Sequence, residues 1–158
     1  MPLRNKLSAA AFTLLYVATG FFREFVFVNV NEQIRVTYYK VGDSQLAPSM
    51  RFLEGTDYGT LYYSKWILTL VFTLIFAGLA ALIVKLLFAE KKFVRLTLLV
   101  YAGVFALGIL FFGLGLLLGQ QEKLYTIARF LAGLVETPAM LIVLIPAFYL
   151  ARSGEERA

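Results

Sequence analysis

The sequence contains no cysteine and no histidine. Without cysteine there is no disulfide, thiol nucleophile, iron–sulfur cluster or thiolate zinc site. Without histidine the commonest general base, the usual haem ligand and the commonest transition-metal ligand are missing too. Charge is also scarce: 16% of the 158 residues are Asp, Glu, Lys or Arg, against about 25% in soluble domains. A soluble enzyme, a disulfide scaffold and a disordered chain are all disfavoured.

Apolar residues are abundant instead, at 60% of the chain, with 16% aromatic and a mean hydropathy of +0.77. They fall into four runs of about 20 residues, the length that crosses roughly 30 Å of hydrocarbon. Spans are expected at about 7–30, 66–88, 93–118 and 127–151. The expected fold is an all-α membrane protein: a single-domain four-helix transmembrane bundle, up-down-up-down, with one ordered exterior loop over 31–65. Only helices and closed barrels satisfy the backbone in lipid, and the run lengths select helices. Arg4 and Lys6 ahead of the first run resemble the start of a signal peptide, but Gly20-Phe21-Phe22-Arg23-Glu24 offers no small-residue cleavage site, so an uncleaved span is expected. Within 31–65 the turn formers Gly42-Asp43, Pro48-Ser49, Gly55, Asp57 and Gly59 cluster. A short strand is expected at 34–39 and a helical turn at 49–53.

The net charge of +5 does not form one stripe, so nucleic acid is not an expected partner and membrane lipid is. Arg4, Lys6, Lys91, Lys92, Arg95, Arg152 and Arg157 crowd the short segments on one side. Arg35, Lys40, Arg51, Lys65 and Lys123 are spread thinly over the other. This asymmetry predicts cytoplasmic termini in a cell inner (plasma) membrane, with 31–65 outside. Tyr58, Tyr62, Tyr63 and Trp66 cluster as an interfacial belt does.

Four places invite chemistry. Arg23-Glu24 lies about 24 Å along the first helix from Leu7, which suits either an ion or headgroup site or the end of the span. Glu136 sits roughly 13 Å into the fourth span beside Pro138. At that depth a carboxylate faces protein and needs a partner or a proton. Pro138 also frees the carbonyl of Leu134. Arg23 lies at a similar depth, so a structural pair and a substrate or ion site both remain open. Gly115/Gly119, Ala102/Ala106 and Ala77/Ala81 have the small-xxx-small spacing that lets helices approach, within the chain or between chains. In the exterior loop, Glu54 and Asp57 would be i, i+3 neighbours on a helix, but Gly55 and Gly59 favour a turn. With Tyr58, Tyr62, Tyr63, Lys65 and Trp66 they read as a contact surface. No phosphate-binding loop, HExxH or GxSxG is present and no span carries an Asp. No catalytic group, metal site or cofactor is expected.

The stretch Gly20-Phe21-Phe22-Arg23-Glu24-Phe25-Val26-Phe27-Val28-Asn29-Val30-Asn31, the turn Phe52-Leu53-Glu54-Gly55 and the entry Tyr62-Tyr63-Ser64-Lys65-Trp66 resemble the small four-span membrane proteins encoded beside exosortases in Bacteroidota. Exosortases are membrane transpeptidase-like enzymes that process sorting signals on exported proteins, and they need a Cys, an Arg and a His. Two of those residue types are absent here, so the resemblance implies a non-enzymatic accessory subunit binding another membrane protein or itself in protein export and sorting. The outline is also similar to that of claudins, whose loop cysteines are missing. The residues by themselves suggest an alternative: a small carrier or channel for a lipid or anion, with Glu136 and Arg23 lining its path.

Overall fold

A computed structural model describes residues 3–40, 42 and 44–155. Asp43, Glu156 and Arg157 lie outside the described residues, as do the side chains of Arg4 and Lys6. The chain is all-helical, 88% helix, with no strand among the described residues. Among the described residues five α-helices follow one another: α1 Leu3–Tyr39, α2 Tyr58–Phe88, α3 Lys91–Leu117, α4 Gln121–Val135 and α5 Ala139–Glu155. Three are long and apolar enough to cross a membrane, or four spans if the bent pair α4–α5 counts as one.

The first helix is longer than expected. Its 37 residues extend about 56 Å, nearly twice the hydrocarbon thickness. Residues 34–39, expected as a strand because they are β-branched and aromatic, continue this helix. Val26, Val30 and Gln33, spaced i, i+4, i+7, are buried, and Ile34 packs on the core. An Arg35–Glu32 ion pair of 2.7 Å spans one helical turn. Packing on a 3.6-residue period here overrides local strand preference. Lys40, in left-handed backbone with φ 52°, follows the helix.

The expected 31–65 loop therefore shrinks from both ends. α2 begins at Tyr58, eight residues before the apolar run starts. Asp57 caps it, its Oδ2 accepting the Thr60 backbone N–H at 2.8 Å and its Oδ1 the Thr60 hydroxyl at 2.6 Å. What remains is residues 40–57, which contain the 3-10 turn Pro48–Leu53 where the sequence pattern places a helical turn. This connection is tied to α1: the Ala47 N–H donates to Asn29 Oδ1 at 2.8 Å, and Met50 is buried in the core.

α2 is the central helix. Phe72, Phe76, Ala80, Ile83, Val84 and Phe88 are all buried. α1 runs antiparallel to it, with Phe27 beside Phe72 and Tyr38 beside Tyr58. α3 returns along another side, from Phe93 against Phe88 to Phe112 against Trp66. α4 then packs on α3, where Gly108 has no side chain to separate the backbones: a Cβ there would sit 3.6 Å from the Ala128 carbonyl. Large apolar side chains remain exposed along these helices, among them Leu14, Phe21, Leu117, Ile142 and Leu150. A total exposed area of 10301 Å² compares with about 8,000 Å² for a compact soluble monomer of this mass.

The fourth apolar run is not one helix. α4 stops at Val135 and α5 starts at Ala139, bent by 62°. At about 22 and 25 Å, helices of 15 and 17 residues are each too short to cross alone. Pro138 is the cause, since it lacks an N–H and its ring clashes with the carbonyl four residues back. The freed Leu134 carbonyl accepts the Thr137 hydroxyl at 3.2 Å. α5 carries Phe148 and Tyr149 back to Phe88 and Phe93 at the α2–α3 turn.

Candidate functional site

The helix break is clasped by α1. Glu136, at the C-cap of α4, has no side-chain exposure. One carboxylate oxygen, Oε2, accepts both Nε and Nη2 of Arg23, at 2.8 and 2.6 Å, and the other accepts the Thr73 hydroxyl of α2 at 3.3 Å. Arg23 also reaches Glu24 at 3.1 Å and lies over the Phe27 ring, 4.4 Å from its centroid. Arg23 thus does not mark a helix end, because α1 continues sixteen residues beyond it to Tyr39. Two turns back on the same face, the hydroxyls of Tyr16 and Tyr101 are 2.6 Å apart, and Tyr16 also donates to the Thr137 carbonyl at 3.1 Å. Between them, Gly20 faces Pro138, whose Cδ lies 3.9 Å from where a glycine Cβ would stand. Tyr16, Gly20 and Arg23 form an i, i+4, i+7 stripe that receives the proline, the freed backbone and the carboxylate together.

Above the clasp lies a cavity of about 680 Å³ lined by all four of α1 to α4. Its walls are largely apolar, with Phe27, Trp66, Leu70, Phe105, Ile109 and Phe112 among them. Three cations face it: Arg23, Lys65 and Arg129, with the carboxylates Glu24 and Glu136. Both carboxylates are committed to Arg23. Lys65 donates to Asn31 Oδ1 at 2.8 Å, and among the described residues neither Lys65 nor Arg129 is paired with a carboxylate. Among the described residues three cations against two carboxylates leave one net positive charge along this cleft, with Lys65 half-buried and Arg129 exposed at its mouth, where an anion is the complement. A second chamber of about 380 Å³, lined by Tyr62, Phe112, Leu116, Glu122 and Tyr125, shares Tyr62, Phe112 and Tyr125 with the first.

The other expected positions fare differently. Ala102 and Ala106 point outward from α3, and Ala77 and Ala81 are half-buried. Gly115 is buried, but Gly119 lies past the end of α3 with φ +66°, a turn glycine and not half of a packing pair. Glu54 and Asp57 share no helix: Glu54 ends the 3-10 turn, Gly55 follows with φ +78°, and Asp57 caps α2. Thr60, through its hydroxyl and then its backbone N–H, holds the Asp57 carboxyl below the usual carboxylate range. Tyr58, Tyr62, Tyr63 and Trp66 lie on α2, where successive rings connect Tyr38 to Phe112 and Tyr125. Among the described residues no group of three His, Cys, Asp or Glu is placed to hold a metal.

Thr73, Tyr16, Tyr101 and Arg129 are not singled out from the sequence, Gly20 enters only within longer quoted stretches, and Lys65 enters as a topology charge and as part of the expected exterior contact loop. For Arg129 a signal exists: Glu122, Tyr125, Arg129 and Glu136 recur at three, four and seven residues, one face of a helix. Comparison with protein-family models, curated proteins and solved structures finds no match for this chain.

Proposed function

We propose that this chain is a non-enzymatic integral membrane protein that holds a phosphate-bearing amphiphile of the bilayer between its helices, as a small lipid binder or carrier. In this reading α1, α2, α3 and the broken α4–α5 pair are four spans in up-down order in the inner (plasma) membrane. The termini are cytoplasmic and the 40–57 connection is exterior, as the Lys and Arg distribution favours. The observation that carries the reading is the interhelical cavity in which Lys65 and Arg129 face apolar walls while both carboxylates are engaged by Arg23. A cation in such surroundings is costly unless an anion joins it. A lipid phosphate supplies that anion and its chains supply the apolar contact.

The test is lipid retention. Protein purified in mild detergent is expected to carry roughly stoichiometric phospholipid by native mass spectrometry, and Arg129→Gln and Lys65→Gln proteins of unchanged thermal stability to lose it. Retention of lipid only in proportion to the surrounding membrane, or equal retention by the variants, refutes the reading.

A second reading has one observation in its favour. Ala102, Gly103 and Ala106 form a small-residue patch on the outward face of α3, the kind of surface on which another membrane helix packs closely. This suits an accessory subunit, and the resemblance to exosortase-associated proteins names the setting of export and sorting. A monodisperse chain with no co-purifying membrane protein and no self-association counts against it.

A further inference from the structure

Resting on the lipid-binding reading above, we infer that the head group held here is a phosphate–alkylammonium zwitterion. Its phosphate lies between Lys65 and Arg129, and its ammonium lies in the outer chamber against Glu122 and the aromatic rings. The two chambers carry opposite charge. The inner cavity has one positive charge in excess, on Lys65 and Arg129. Among the described residues no cation lines the outer chamber, whose polar groups are the Glu122 carboxylate and the phenols of Tyr62 and Tyr125. Among the described residues no Lys or Arg is paired with Glu122.

The two ends are in register. Glu122, Tyr125 and Arg129 are spaced i, i+3, i+7 on α4, so acid, ring and base follow one another down one face. Facing them, Tyr62 and Lys65 on α2 repeat the order of ring then base. Tyr62, Phe112 and Tyr125 line both chambers, which therefore adjoin across these rings. Aromatic faces with a carboxylate form the surroundings that favour an alkylammonium, through attraction to the ring quadrupole and to the full charge. The same carboxylate repels a second negative charge. Phosphatidic acid, with no ammonium and a more highly charged phosphate, and phosphatidylglycerol, with only a neutral glycerol beyond its phosphate, each leave the Glu122 end uncompensated.

The experiment titrates the full chain, purified in detergent and stripped of lipid, with short-chain phospholipids read by native mass spectrometry. Phosphatidylethanolamine and phosphatidylcholine are the expected ligands; phosphatidylglycerol and phosphatidic acid are the comparisons. Glycerophosphoethanolamine, the head group without chains, separates a lipid ligand from a free one: tighter binding of the lipid supports the proposal, and equal binding of the two overturns the lipid assignment. Glu122→Gln is expected to weaken binding of the zwitterionic lipids by about tenfold, the loss of one charge-assisted contact, and to leave phosphatidylglycerol unchanged. Glu122→Lys is expected to invert the preference toward phosphatidic acid. Glu122 is exposed at the first turn of α4, so these variants keep the fold, which a thermal melt verifies. Phosphatidylglycerol bound as tightly as phosphatidylethanolamine, or Glu122→Gln weakening both alike, overturns the zwitterion. If no phospholipid binds, or Arg129→Gln changes nothing, the lipid-binding reading itself fails, a distinguishable result.

Discussion

Replacing Arg23 by Gln leaves Glu136, which has no side-chain exposure, with the Thr73 hydroxyl as its one remaining side-chain partner among the described residues. Removing one partner of a buried ion pair costs about 3–5 kcal/mol, because the other charge stays buried without compensation. For a chain of this size that corresponds to roughly 6–20 °C in melting temperature. The reverse change is milder. In Glu136→Gln, Arg23 keeps Glu24, the Phe27 ring and 18% side-chain exposure, and the glutamine oxygen still accepts a hydrogen bond. About half the loss is expected, near the 1.5–3 kcal/mol of a hydrogen bond to a charged group. The double variant Arg23→Gln/Glu136→Gln removes both charges and should be more stable than Arg23→Gln alone. Thermal unfolding in one detergent by circular dichroism measures all three. If Arg23→Gln melts no lower than Glu136→Gln, or if the two losses simply add, the clasp does not hold the helix break as argued.

The Gly20–Pro138 contact makes a size-dependent prediction. Gly20→Ala fits, since a Cβ meets Pro138 at 3.9 Å and Phe76 at 4.0 Å, and it should stabilise by about 0.5–1 kcal/mol as alanine replaces a mid-helix glycine. Gly20→Leu should destabilise by about 1–3 kcal/mol, and paired melting curves decide. Tyr16→Phe leaves the buried Tyr101 hydroxyl and the Thr137 carbonyl without their shared partner, for an expected loss of about 1–3 kcal/mol. Tyr16→Phe/Tyr101→Phe should recover part of it. Asp57 is ionised in the fold to a lower pH than in the unfolded chain, so its contribution is complete above the unfolded carboxylate value of about 3.9. It fades as pH falls through the lower folded value. Melting temperature measured from pH 5 downward should therefore fall less in Asp57→Asn than in the parent chain. An identical slope refutes the assignment of Asp57 as an ionised cap.

The contrast between what the residues announce and what the fold decides follows from the range of the forces involved. Apolar run length is local, so long membrane-compatible helices are readable directly: the run at 66–88 lies within α2 and that at 93–118 nearly coincides with α3. Boundaries are less legible, because the helical course of 34–39 goes with tertiary contacts, Ile34 packing on the core and Tyr38 meeting Tyr58 of α2. The Pro138 bend is foreseeable in kind, since a missing N–H must break a hydrogen bond. Its 62° angle and the Thr137 hydroxyl that takes up the Leu134 carbonyl are not. The small-residue spacings report a shared face and not what that face meets. Ala102 and Ala106 look outward, while Gly108, outside every such pair, brings α3 onto α4.

The sequence by itself determined that this chain forms long apolar helices with few charges, and that a carboxylate at Glu136 requires company. Only the tertiary structure decided which company. Arg23 is 113 positions away in the chain, and Lys65 and Arg129 are brought to one cavity by helices that the sequence does not order. The physical reason is that hydrophobic run length and backbone hydrogen bonding act along a few turns of chain. The pairing of charges in a low-dielectric interior is settled by which side chains the packed helices carry to within a few ångströms.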